Sequence, residues 1–154
     1  ARADLFRGRN VVITPLPETD PAACRFVARL WTACGGRVAE MTPEEHDALF
    51  AAVSHLPHVL AFALVDYIAA RADAPRLFAF AASGFRDFTR IAGSSPEMWR
   101  DICLANREAL LREIAGFEGE LGRIRALIEA GDGAGLMEVF RQARDARRTF
   151  LKGE

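Results

Sequence analysis

Residues 42–71 run TPEEHDALFAAVSHLPHVLAFALVDYIAAR, and this stretch decides the fold. It opens on a capping box. Thr42 is an N-cap whose hydroxyl accepts from the third helical N–H, and Glu45 reaches back to the N-cap backbone. Pro43 suits the first helical turn, where its missing N–H costs nothing. From there the spacing predicts one long helix to about Arg71. Pro57 lies inside it and frees the carbonyl of Val53, so a kink or a fresh helix start is expected at Ser54. All three histidines of the chain, His46, His55 and His58, fall in this segment.

Upstream the pattern changes. Residues 10–14 (NVVIT) form a β-branched run closed by Pro15 and Pro17, as a buried strand does. Asp20-Pro21 starts a helix, with Asp as N-cap and Pro at the first helical position. Cys24, Val27, Ala28, Leu30, Trp31 and Cys34 recur at helical spacing, and Gly35-Gly36 ends the helix. Residues 37–41 (RVAEM) are a second strand. Strand, helix and strand with tight links make a βαβ unit, which needs a parallel sheet of more strands than this chain supplies. Residues 1–41 are therefore expected to be the C-terminal remnant of an α/β domain, and the chain a fragment of something longer.

Downstream everything reads as helix: about 75–82, 84–92, 96–130 with a possible break at Ala105–Asn106, and 134–150 after the Gly131-Asp132-Gly133 loop. The expected fold class is mainly α, an all-helical domain over 42–154 preceded by the short βαβ remnant. Leu104, Leu110, Leu111, Ile114, Phe117, Leu121, Ile124, Leu127 and Ile128 make a stripe too wide for one neighbour. Such a domain completes its core with a second copy, so a homodimer is expected.

Composition narrows the function classes. The chain has 154 residues, 51% apolar and 27% charged, the profile of a globular protein. A net charge of −1 gives no basic field for nucleic acid or an acidic membrane. The apolar run 59–70 is interrupted by Asp66 and is too short to span a bilayer. Cys24, Cys34 and Cys103 are odd in number with no CxxC, which points to reduced thiols and a cytoplasmic location. Lys152 is the only lysine among 20 basic side chains, a compositional bias rather than a function.

Two clusters carry chemistry. His55 and His58 are neighbours on a helix, but His46 is nine residues before His55, about half a turn out of phase on a straight helix. Three histidines so placed do not converge on a metal, and no cysteine is near, so no metal is expected. Core or capping histidines are the plain alternative, which the clustering weakens; a polar pocket for an anionic substrate is preferred. In the second cluster, Arg86, Asp87 and Arg90, the two arginines share a helical face and Asp87 can pair with either. An arginine so held is a bidentate clamp for a carboxylate. The plain alternative is a solvated face, against which Phe85, Phe88 and Ile91 place these charges at a core edge. Asp66 needs a partner if buried, and the basic residues Arg141, Arg144, Arg147 and Arg148 read as a solvated face. No GxGxxG, P-loop or GxSxG occurs.

The strings NVVITP, RVAEMTPEEHD, AAVSHLPHVLAFALV and SGFRDFTRIAGSSPEMWRDICLANREALL together resemble the C-terminal part of prephenate dehydrogenases, the family that includes arogenate and cyclohexadienyl dehydrogenases of tyrosine biosynthesis. The resemblance runs from about Phe6 to Phe117. It implies an N-terminal nucleotide-binding domain followed by an all-helical dimerisation domain. It implies oxidative decarboxylation of prephenate or arogenate with NAD or NADP, bound mainly by the N-terminal domain. That domain would also hold the catalytic histidine, so no catalytic residue is expected in this chain, which would be inactive alone. Carried onto this sequence, Arg90 would bind a substrate carboxylate and Arg86 and Asp87 would form an ion network at the pocket mouth. His46, His55 and His58 would line the substrate side, with tyrosine as a possible inhibitor. Arg86 stands where members of the family often carry Lys. The competing readings are a non-catalytic aromatic amino acid-sensing or dimerisation module, and a histidine-based metal hydrolase.

Overall fold

The computed structural model describes residues 4–152. Strands β1 (Asn10–Ile13) and β2 (Arg37–Glu40) pair in parallel, with Asn10 opposite Arg37 and Ile13 opposite Glu40. Helix α1 (Pro21–Ala33) crosses between them and packs on both. Its start is set by Asp20, whose carboxylate accepts from the Ala22 N–H at 2.8 Å. Its end is set by Gly35 at φ 84, a left-handed turn that brings the chain back beside β1. A side chain at Gly36 would press on the Trp31 carbonyl and on Val11, each 3.1 Å from its Cβ. The βαβ unit read from the sequence is therefore present, as a two-stranded sheet.

Helix α2 (Pro43–Phe50) begins with the capping box: the Glu45 N–H donates to the Thr42 hydroxyl at 3.1 Å and the Thr42 N–H to the Glu45 carboxylate at 2.8 Å. Residues Ala51–His55 then form a π-helical turn, closed by the Leu56 N–H donating five residues back to the Ala51 carbonyl, before α3 (Leu56–Ala69). The irregularity expected around Pro57 is this turn, one residue wider than an α-turn, with α3 starting at Leu56 rather than at Ser54. It keeps Pro43–Ala69 one continuous helical run, long and apolar enough by length and composition to cross a membrane. This corrects the expectation drawn from residues 59–70 alone. Most of the run's apolar length is not buried within the chain.

Helices α4 (Ala74–Ala79) and α5 (Ser83–Thr89) and a 3-10 turn (Arg90–Gly93) flank α3. Helix α6 (Pro96–Ala105) starts at Ser95, whose hydroxyl accepts from the Met98 N–H at 3.2 Å. It breaks at Asn106 before α7 (Arg107–Glu129). Ala51 and Ala61 are fully buried, small residues at the positions with no room, and Trp99 and Asn106 are nearly so. The chain divides into two compact units, Ala1–Leu110 and Leu111–Glu154, with the boundary inside α7. In the second unit α7 turns through Gly131 (φ 64) into α8 (Gly133–Lys152), capped by Asp132, which accepts from the Gly135 N–H at 2.9 Å. There Val139 is buried, while Leu121, Ile128, Met137, Phe140 and Phe150 are exposed. Arg141, Arg144 and Arg148 pair with Glu138 or Asp145 at the surface, as a solvated face does.

Candidate functional site

The π-turn sets the positions of the histidines. It inserts one residue into the helical count, so the nine residues from His46 to His55 rotate as eight. Their phase difference falls from about 180° to about 80°. The straight-helix separation inferred from sequence is corrected by this turn. All three imidazoles are half-buried. His46 Nδ1 lies 3.0 Å from the Asp47 carboxylate, and its ring sits 4.4 Å from that of Phe50. His58 Nδ1 lies 2.8 Å from the Ser54 carbonyl, which only accepts, so Nδ1 carries the proton and Nε2 the lone pair. His55 Nδ1 lies 3.2 Å from Asn106 Nδ2, which also donates to the Asp47 carbonyl at 2.7 Å. Burial pushes the His55 pKa below the ordinary imidazole value; Asp47 opposes this, and His46 and His58 add to it.

Trp99 of α6 closes the cluster. Its ring stacks on His58 at 3.7 Å and 19°, and meets His55 edge-on at 6.0 Å and 76°. Its indole Nε1 is buried with no acceptor among the described residues, a donor whose cost calls for a partner. Trp99 also lines a groove of about 530 Å³ between α3 and α6, with Val59, Phe62, Asp66 and Arg100 among its walls. Asp66, whose need for a partner depended on burial, is exposed in that groove.

The arginine cluster is arranged differently from the sequence picture. Arg86 and Asp87 lie on α5, but Arg90 begins the 3-10 turn, so the even i,i+4 spacing does not run through it. All three are exposed, and among the described residues none of them forms an ion pair. Phe85 and Ile91 are half-buried beside them as expected, whereas Phe88 is 46% exposed and does not seal the edge. Both segments pack on α3, the helix that carries His58. The structure thus gathers His46, His55 and His58 with Trp99 and Asn106, and among the described residues no arginine comes into hydrogen-bonding contact with that group.

Trp99 and Asn106 were not singled out from the sequence. A tryptophan in an amphipathic helix is ordinary core, and an asparagine at a helix break is an ordinary cap. Only the fold reveals that both turn toward the histidines. Among the described residues no three His, Cys, Asp or Glu side chains gather as a metal would require. Cys24, Cys34 and Cys103 are free thiols.

These features define a helical domain with imidazoles packed on a tryptophan beside an apolar groove, following a parallel βαβ unit. Residues 42–142 match the family described as prephenate dehydrogenase, dimerization domain, and the chain belongs to that family. It is 37% identical over 147 residues to a cyclohexadienyl dehydrogenase of Zymomonas mobilis, covering 94% of this chain and 50% of that protein. It is 38% identical over 148 residues to a prephenate dehydrogenase of Bacillus subtilis, covering 96% and 40%. Among solved structures it superposes on a prephenate dehydrogenase from Aquifex aeolicus, in complex with hydroxyphenyl propionate and NAD+, with a TM-score of 0.89 and 41% identity. That match covers 96% of this chain and 52% of the other. The chain spans about half the length of the curated relatives it matches.

The β1–α1 link does not fit a nucleotide phosphate. The β1–α1 link contains Pro15 and Pro17 instead of glycines, and the Asp20 carboxylate already occupies the N-terminus of α1. An anion there would meet a negative charge.

Proposed function

We propose that this chain is the substrate-binding and dimerisation portion of a prephenate or arogenate dehydrogenase, an enzyme of NAD(P)-dependent oxidative decarboxylation in tyrosine biosynthesis. The observation that carries the proposal is the packed group of His46, His55, His58 and Trp99, within the segment that matches the family. Prephenate and arogenate are compact rings bearing carboxylates. Such a ligand suits an aromatic wall with imidazoles. The exposed Arg86, Asp87 and Arg90 then form the mouth, with Arg90 closing on a carboxylate once it is bound. Residues 1–41 are the tail of the nucleotide-binding domain and 42–154 the helical domain. The cofactor, NAD or NADP (NAD+ in the similar Aquifex aeolicus structure), is held mainly by the N-terminal nucleotide-binding domain. The catalytic base lies there too, so the chain is inactive alone. Tyrosine, also an aromatic ring with a carboxylate, competes for the same pocket.

We also infer a homodimer. The apolar face of Pro43–Ala69 and the exposed side chains of α7 and α8 are the surfaces a second copy covers, in place of a membrane. The protein works in the cytoplasm, where its thiols stay reduced. The substrate reading is tested by Arg90→Ala in the complete protein. A lost charge-assisted bond of about 1.5–3 kcal/mol raises KM for prephenate or arogenate by roughly 10- to 150-fold. An unchanged KM would remove Arg90 from the site.

A further inference from the structure

The side chain of Asn106 is oriented by simple chemistry. It is 7% exposed and stands at the break between α6 and α7. Its backbone carbonyl accepts from the Leu110 N–H at 3.1 Å, so its main chain serves the new helix. An asparagine there ordinarily caps the helix with its side chain as well. Here the amide instead crosses to α2 and to the π-turn. The Asp47 carbonyl, 2.7 Å away, only accepts, so the facing atom of Asn106 is the amide nitrogen. That nitrogen has a second hydrogen, and His55 Nδ1 lies 3.2 Å from it. Nδ1 must therefore accept, and a neutral His55 keeps its proton on Nε2.

We propose that Asn106 is a positioning residue that fixes His55 as the Nε2–H tautomer, so that His55 enters the carboxylate pocket as a neutral hydrogen-bond donor. The role at the pocket rests on the substrate reading above; the tautomer does not. Protonation at Nδ1 would break the Asn106 bond, in line with the lowered affinity of His55 for a second proton. The charged or titratable groups acting on His55 are Asp47 and His46 of α2 and His58 of α3, while Trp99 of α6 and Asn106 itself are neutral. His58 is the opposite tautomer, held Nδ1–H by the Ser54 carbonyl. The two neighbouring imidazoles thus present unlike ring edges, one donor and one acceptor.

The test is long-range proton–nitrogen NMR on histidine-labelled complete protein without substrate, above the imidazole pKa. In the unmodified protein His55 should show an unprotonated Nδ1 and a protonated Nε2, with His58 reversed. In Asn106→Asp a carboxylate that only accepts should invert the His55 pattern and raise its titration midpoint. In Asn106→Ala both tautomers should appear. A protonated Nδ1 in the unmodified protein would overturn the proposal without recourse to any variant. So would an unchanged His55 pattern in a folded Asn106→Asp protein. Because no substrate is present, failure here leaves the Arg90 test of the substrate reading standing, and the reverse also holds.

Discussion

The indole of Trp99 and the imidazole of His58 stack at 3.7 Å with their planes 19° apart. This contact ties α6 to α3 across the histidine cluster. It also orders the His58 ring, whose Nδ1–H is already held by the Ser54 carbonyl. One face of the tryptophan is thereby committed to the cluster, while its side chain also lines the groove between the two helices.

Replacing this nearly buried ring should be costly. Trp99→Ala is expected to lower unfolding free energy by about 3–5 kcal/mol, the usual loss for a buried aromatic. Trp99→Phe keeps a stacking partner worth about 1 kcal/mol and removes the unpaired N–H. It should lose far less stability yet weaken substrate binding in the complete enzyme. Urea unfolding and substrate titration separate the two effects. Equal stability for Ala and Phe at this position would contradict the packing role.

His55 makes stability depend on pH in a definite direction. Its folded pKa lies below the ordinary value of about 6.5, chiefly through burial. Between those two values the unfolded chain binds more protons than the fold, so stability rises with pH across that window. The contribution is fully present above about 6.5 and is lost as pH falls through the folded value. The stability difference between the unmodified protein and His55→Gln should therefore shrink on going from about pH 7.5 to about pH 5. A difference that grows on acidification would reverse the assignment.

The second unit exposes Ile128 at 61%, Met137 at 59% and Phe140 at 57%. Such large apolar groups, together with the uncovered run Pro43–Ala69, call for a partner surface. Light scattering should give the mass of two chains. Phe140→Glu, which places a charge where an apolar contact is expected, should shift the population toward one chain. A one-chain mass for the unmodified protein would remove the homodimer.

Much of the fold was legible in local signals. The capping box at Thr42 and Glu45, the Asp20-Pro21 helix start and the break at Asn106 all depend on neighbours within a few residues, and the parallel pairing of β1 with β2 follows from the short strand–helix–strand order. The form of the irregularity before Pro57 was not legible, because a missing N–H can be absorbed by a kink or by a π-turn. That choice decides where His46 points relative to His55. The partners Trp99 and Asn106 were also hidden, since Asn106 meets Asp47 and His55 across 59 and 51 residues of chain. The arginine cluster showed the reverse problem. The spacing of Arg86 and Arg90 suggested one α-helical face, and the change to a 3-10 turn at Arg90 breaks that pattern.

The most direct measurement is an assay of the complete protein for NADH or NADPH formation on prephenate and on arogenate. Residues 1–154 alone and the Arg90→Ala form serve as controls. The expected result is turnover of at least one substrate by the complete protein, a raised KM in the variant and no turnover by residues 1–154. Absence of turnover with either substrate and either cofactor, while the protein still binds tyrosine tightly, would contradict the dehydrogenase reading and favour a sensing module. Turnover by residues 1–154 alone would contradict the assignment of cofactor and catalytic base to the rest of the enzyme.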